Sequence, residues 1–145
     1  MADIHRTRTI AAAAHDIWHV LADFGSISSW ADNVDHSCIL AHGPDGTTRR
    51  VQAGRETLVG RITEFDPPHT LAYNIEGLPK RLRRVTNRWT LRPTDGQTVV
   101  TLTSTFEIGP RPIQKLIERA VCRLMVRQSD VMLAGLANRL ETTSV

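Results

Sequence analysis

The fold of this chain is decided by two runs: Arg84-Val-Thr-Asn-Arg-Trp-Thr-Leu-Arg92 and, after the turn signal Thr94-Asp-Gly96, Val99-Val-Thr-Leu-Thr-Ser-Thr-Phe-Glu-Ile108. In the first, Val85, Asn87, Trp89 and Leu91 alternate with Arg84, Thr86, Arg88, Thr90 and Arg92. In the second, Val100, Leu102, Ser104, Phe106 and Ile108 alternate with Thr101, Thr103, Thr105 and Glu107. Successive side chains of a strand point to opposite faces, so each run has one apolar and one polar face. Two such strands joined by a tight turn predict an antiparallel sheet covered on one side only.

Working outward, the same texture extends upstream. Leu71, Tyr73 and Ile75 alternate with Ala72, Asn74 and Glu76, ahead of the turn Gly77-Leu-Pro79. Glu56 to Phe65 is a strand closed by Asp66-Pro-Pro68, and two registers of it are open. Either Leu58, Gly60, Ile62 and Glu64 face inward, or Val59, Arg61, Thr63 and Phe65 do. Cys38 to Ala41 and Thr47 to Ala53 flank Gly43-Pro-Asp-Gly46, where Pro fixes φ and Gly supplies the positive φ of a hairpin turn. Before them, Ala14, Ile17, Trp18 and Leu21 form one face of a short helix. Ser26 is available to cap a second helical turn, and Ile4 to Ile10 is an exposed edge strand.

The cover for the sheet comes last. Ile113 to Leu140 contains no proline and would form a helix about 40 Å long. Ile113, Ile117, Ala120, Leu124, Val131 and Gly135 read as its gripping stripe, with Lys115, Arg119, Arg123 and Arg127 on another face. Met132, Leu133, Leu136 and Leu140 fall off that stripe. Either the first strands or a second copy of the chain would bury them, and a homodimer contact is the expectation.

Composition bounds the function. The chain has 145 residues, 41% hydrophobic and 23% charged, with a net charge of +3. That suits one soluble domain, expected over residues 1–145. The charge is too small to indicate a nucleic-acid protein. Cys38 and Cys122 fit no CxxC or zinc spacing, and a reduced compartment is the default. They read as small buried or half-buried residues. No apolar stretch approaches a membrane span, and Ala11 to Ala14 is too short for a signal-peptide core. The chain is expected to be cytoplasmic.

Four stretches carry a resemblance. They are Ile10-Ala-Ala-Ala-Ala-His-Asp-Ile-Trp18-His-Val-Leu-Ala-Asp23-Phe24 with Trp30 six residues on, Gly46-Thr-Thr-Arg49-Arg-Val51, Glu64-Phe-Asp66-Pro-Pro-His-Thr-Leu-Ala-Tyr73, and the closing helix. In these the chain resembles the START/Bet v 1-like (SRPBCC) superfamily, in particular bacterial polyketide cyclase/dehydrase-type proteins. The resemblance implies an α+β helix-grip fold. In it a curved antiparallel sheet of six to seven strands wraps a long C-terminal helix, two short helices follow the first strand, and an apolar cavity lies between sheet and helix. It predicts a pocket better than a reaction.

Polar residues on apolar faces are the candidate ligand contacts, because an unpartnered buried polar group costs about 1–3 kcal/mol. Arg49 shares parity with Val51 and matches the family's strand arginine, which points into the cavity. Asn87, Ser104 and Gln128 are the others, and Trp30, Tyr73, Trp89, Phe106 and Leu124 are candidate walls. The competing account is that the polar groups bond one another or a buried water, and that the aromatics fill core. Trp18 is expected to pack. Leu78 is expected to cover the pocket mouth. Gly77-Leu-Pro79 is similar to the gate of hormone-receptor members, although it falls one hairpin later. Beside it, Lys80, Arg81, Arg83, Arg84 and Arg88 form a basic patch. That patch would attract an anionic ligand tail or transiently contact an anionic surface, or would simply keep a strand end soluble.

His15 and His19 have a metal-compatible spacing but lack a third ligand, so no metal is expected, and no cofactor is implied. Catalytic residues are unknown, since no nucleophile motif or phosphate loop is present. The expected function is binding or carriage of a small to medium hydrophobic ligand, such as a lipid, polyketide or aromatic metabolite. Two alternatives stand beside it. One is an aromatase/cyclase or dehydratase-type enzyme, which needs an acid or base in the pocket. The other is a protein-interaction module whose vestigial cavity falls below the ~300 Å³ typical of ligand sites.

Overall fold

Seven strands form one antiparallel sheet in a computed structural model that describes residues 2–44, 46–77, 82–108 and 114–143. The strands are β1 (Ala2–Ile10), β2 (His36–Gly43), β3 (Gly46–Ala53), β4 (Glu56–Asp66), β5 (Thr70–Glu76), β6 (Leu82–Thr94) and β7 (Gln97–Ile108). Their spatial order is β1-β7-β6-β5-β4-β3-β2, so β1 and β2 are the edges. Helix α1 (Ala14–Ala22) and a 3₁₀ helix (Phe24–Ser29) follow β1, and the long α2 (Gln114–Thr143) ends the fold. This is the helix-grip arrangement. Ser26 lies inside the 3₁₀ helix and caps nothing; its carbonyl instead accepts from the Ser29 hydroxyl at 2.7 Å.

Register brings the alternating faces together. Asn87 pairs with Ser104 and Trp89 with Leu102 between β6 and β7, while Tyr73 pairs with Asn87 between β5 and β6. All five are buried. The β4 question resolves through a bulge. Leu58, Gly60 and Ile62 face the core side, but the pairing with β5 shifts between Ile62 and Glu64. One extra residue reverses the parity that follows. Glu64 therefore points outward, where it pairs with Arg88 at 2.9 Å, and Phe65 turns back to meet Trp18 edge-on at 5.2 Å. Each register is correct on its own side of the bulge.

The α2 stripe is a correction. The buried face is Ser129, Met132, Leu133, Leu136, Ala137 and Leu140, spaced as one side of a helix, while Leu124 is 52% exposed. With apolar residues on several sides, spacing alone chose the wrong phase. Met132, Leu133, Leu136 and Leu140 are buried within this chain, in the core cluster with Trp18, Leu21 and Trp30. The reason for expecting a homodimer contact disappears with them. Gly135 lies against the Trp30 carbonyl, and a methyl group there would overlap that oxygen. Across the sheet, Arg6 of β1 grips the Asp130 carboxylate with two bonds of 2.7 and 3.0 Å. Cys38 is exposed rather than buried, because β2 is an edge strand; Cys122 is half-buried. Among the described residues no helix is long and apolar enough to cross a membrane.

Candidate functional site

The concave face carries a connected line of buried polar groups. The Ser104 hydroxyl donates to Asn87 Oδ1 at 2.6 Å, and Asn87 Nδ2 donates to the Tyr73 hydroxyl oxygen at 3.3 Å. Trp89 Nε1 donates to the same oxygen at 3.3 Å. Tyr73 thus accepts twice and keeps its own hydroxyl proton to offer. Cross-strand register alone produces this line, since Tyr73, Asn87 and Ser104 are direct partners on adjacent strands.

Arg49 stands at one end. It is only 5% exposed, and its Nη1 donates to the Phe24 carbonyl at 3.0 Å. Its guanidinium carbon lies 3.7 Å from the Phe24 ring centre and 4.5 Å from that of Tyr73. Gly60, its partner on β4, leaves room for it: a Cβ there would come within 3.3 Å of Arg49 Nε and 3.4 Å of Phe24 Cζ. Nε is buried without a hydrogen-bond partner, and among the described residues no carboxylate pairs with the guanidinium. Burial pushes the guanidinium below its ordinary value, with the Tyr73 hydroxyl pulling the other way. An arginine remains charged under such a shift. Ring faces attract a desolvated cation by roughly 2 kcal/mol, yet burying one costs several, so attraction to the rings alone leaves it under-compensated.

A cavity of about 70 Å³ opens beside Arg49, with Val34, Val51, Leu58, Ile75 and Met132 among its apolar walls. It has the size for the polar end of a ligand and falls below the ~300 Å³ of a whole ligand site. Of the residues named from sequence, Arg49 and Tyr73 border this cavity, and Asn87, Ser104 and Trp89 back it through hydrogen bonds. Trp30 meets Trp89 edge-on at 5.9 Å in the core. Phe106 is buried beside its register partner Val85, outside the core cluster that holds Trp30 and Trp89. Gln128 is half-buried, and its Oε1 accepts from Asn33 Nδ2. Leu124 is exposed, away from the site.

The expected gate residue Leu78 lies outside the described residues, as do Lys80, Arg81 and the side chains of Arg83 and Arg84. Arg88 faces outward in its pair with Glu64. His15 and His19 share a hydrogen bond of 3.2 Å on an exposed helix face, and the described residues hold no group of three or more metal-ligating side chains. Sequence reasoning missed Phe24 and Gly60. The first sits in an irregular turn without periodicity, and the second matters through the space it leaves for Arg49 and Phe24, which its own sequence context does not reveal.

Sheet, helix and enclosed polar line define a helix-grip protein. A family profile described as polyketide cyclase / dehydrase and lipid transport matches residues 1–141, and the chain belongs to that family. No curated protein sequence matches it. Among solved structures, it is similar to the Zhui aromatase/cyclase from Streptomyces sp. R1128, with 19% identity, a TM-score of 0.85, and coverage of 99% of this chain and 96% of that one. A START superfamily protein from Mycobacterium smegmatis aligns with 16% identity and a TM-score of 0.78 over 97% of this chain and 98% of that one. A protein from Thermobifida fusca, solved by NMR in solution, shares 28% identity with a TM-score of 0.73 over 97% of this chain and 93% of that one. The identities below one in four speak to fold alone.

Proposed function

We propose that this chain binds a small to medium hydrophobic molecule and holds an anionic or carbonyl oxygen of it against Arg49, in the small cavity between the sheet and α2. The observation that carries the reading is a buried guanidinium bordering an apolar cavity, with an unbonded Nε and no carboxylate partner among the described residues. Such a group is better satisfied with a ligand oxygen present than without one, because charge-assisted bonds are strong in a dry site. The Tyr73 hydroxyl, fixed by Asn87 and Trp89, supplies a second donor on the same wall.

Carriage is favoured over cyclase or dehydratase chemistry by the titratable groups at hand. Around this cavity the described ones are Arg49 and Tyr73, with neither a carboxylate nor an imidazole to move protons. Glu64, the one carboxylate whose direction was open, faces solvent. Native mass spectrometry of protein purified from its own cells tests the reading. A retained apolar molecule, released on denaturation, is the expected result. A bare mass, together with no uptake of fatty acids or aromatic polyketides, would favour the interaction module with a vestigial cavity.

A further inference from the structure

Phe24, whose ring lies under the Arg49 guanidinium, also lines a second space. It is a cleft of about 590 Å³ between the end of α1, the 3₁₀ helix and strands β2 to β4. Phe24, Ile39, Ile62 and Phe65 form its apolar lining, with His42 and Thr47 among its polar atoms. Ile39 and Phe65 are 38% and 53% exposed, which leaves their apolar surface in water. The β4 bulge is what turns Phe65 to this side. Ile39 packs closely on Gly25, where a Cβ would come within 2.7 Å of Ile39 Cγ1.

We infer that this cleft holds the apolar body of a ligand whose anionic end reaches Arg49, with the Phe24 ring as the movable partition between the two spaces. The inference rests on the reading of Arg49 as the ligand's anchor. Size supports it: the inner cavity takes only a headgroup, whereas the cleft lies in the ~300–1,000 Å³ range of drug-sized sites. Charge supports it too. The guanidinium carbon lies 3.7 Å from the Phe24 ring centre, and no carboxylate among the described residues pairs with it. Asp23 at the rim is exposed, and its charge is screened by water more than that of the desolvated Arg49. Phe24 opens a short 3₁₀ helix, its backbone is tied to Arg49 through the carbonyl, and its ring is held by packing alone, on Arg49 and Tyr73, which a side-chain rotation can exchange for a ligand. A ligand carboxylate or sulfonate would replace the ring on Arg49, and the ring would turn against the ligand's body.

The test uses anilinonaphthalene sulfonate, an apolar body with one anionic group, followed by fluorescence titration and stopped-flow. Ile39→Trp fills the cleft from its rim, and His42→Trp does so from an exposed position should the first variant misfold. Phe24→Leu shortens the partition. Filling the cleft is expected to weaken binding about tenfold, and Phe24→Leu to speed exchange about tenfold. Arg49→Met is expected to weaken binding in either case. If Arg49→Met weakens binding but neither tryptophan changes affinity or rate, the probe reaches Arg49 by another way and the cleft proposal fails alone. If Arg49→Met has no effect, the anchor reading fails and the cleft proposal with it.

Discussion

Arg49 holds Phe24 twice: its Nη1 donates to the Phe24 carbonyl at 3.0 Å while its guanidinium carbon lies 3.7 Å from the Phe24 ring centre. The two residues are 25 positions apart, so one side chain brings β3 into contact with the turn after α1. Gly60 makes this possible. Gly60→Ala is expected to push Arg49 and Phe24 apart by a few tenths of an ångström and to destabilise the fold by about 1–2 kcal/mol, the usual scale for overpacking. Urea denaturation measures it, and Arg49→Met in the same background should recover part of the loss.

The α2 face rests on Gly135. Because a methyl group there would overlap the Trp30 carbonyl, Gly135→Ala should destabilise the chain by about 3 kcal/mol, although alanine favours helices. The neighbouring Ala134 is exposed, and Ala134→Gly should cost only about 1 kcal/mol. Thermal denaturation of the two variants would reverse the order that helix propensity predicts.

The polar line should behave as a unit. Ser104→Ala leaves Asn87 Oδ1 without its donor, at a cost of about 1–3 kcal/mol. Once Asn87→Leu has removed the acceptor, Ser104→Ala should cost much less, and a double-mutant cycle reads the difference.

Faces of β6 and β7 were legible because strict alternation admits one register, and Asn87 and Ser104 stood out as polar residues in apolar rows. The β4 face was not, since a single bulged residue at Thr63 reverses parity without changing composition. Nor was the α2 stripe: Leu124 and Leu136 fall on two rival apolar sides of the helix, about 120° apart, and only the packing of α1 and Trp30 against the second half selects the side of Leu136. Arg49 was found through resemblance. Its partner Phe24 was not, because a contact between a strand and an irregular turn leaves no periodic trace.

The outward turn of Glu64 has its own consequence. Its pair with Arg88 is half exposed, so Glu64→Gln should change stability by no more than about 1 kcal/mol and leave ligand affinity unaltered. A large loss of binding or of any turnover would place this carboxylate in the site after all. Calorimetry of the variant against an apolar carboxylate decides it.

Thiol chemistry should separate the two cysteines. Cys38 is exposed, whereas burial, with Glu118 adding to it, pushes the Cys122 thiol up and lowers its thiolate fraction at a given pH. Alkylation at mildly alkaline pH should show a fast and a slow phase, and Cys38→Ser should remove the fast one.

The central claim is that Arg49 is kept as a buried cation for a ligand oxygen and not for the fold. Its most direct measurement pairs stability with binding for Arg49→Met, using an apolar carboxylate and its neutral amide. The account predicts that the variant stays within about 1 kcal/mol of the parent, since the lost bond to the Phe24 carbonyl is offset by removal of a buried charge that no described carboxylate pairs. It also predicts that carboxylate affinity falls at least about tenfold while amide affinity changes little. Destabilisation beyond about 3 kcal/mol with equal loss of both ligands would contradict it and make Arg49 a structural residue.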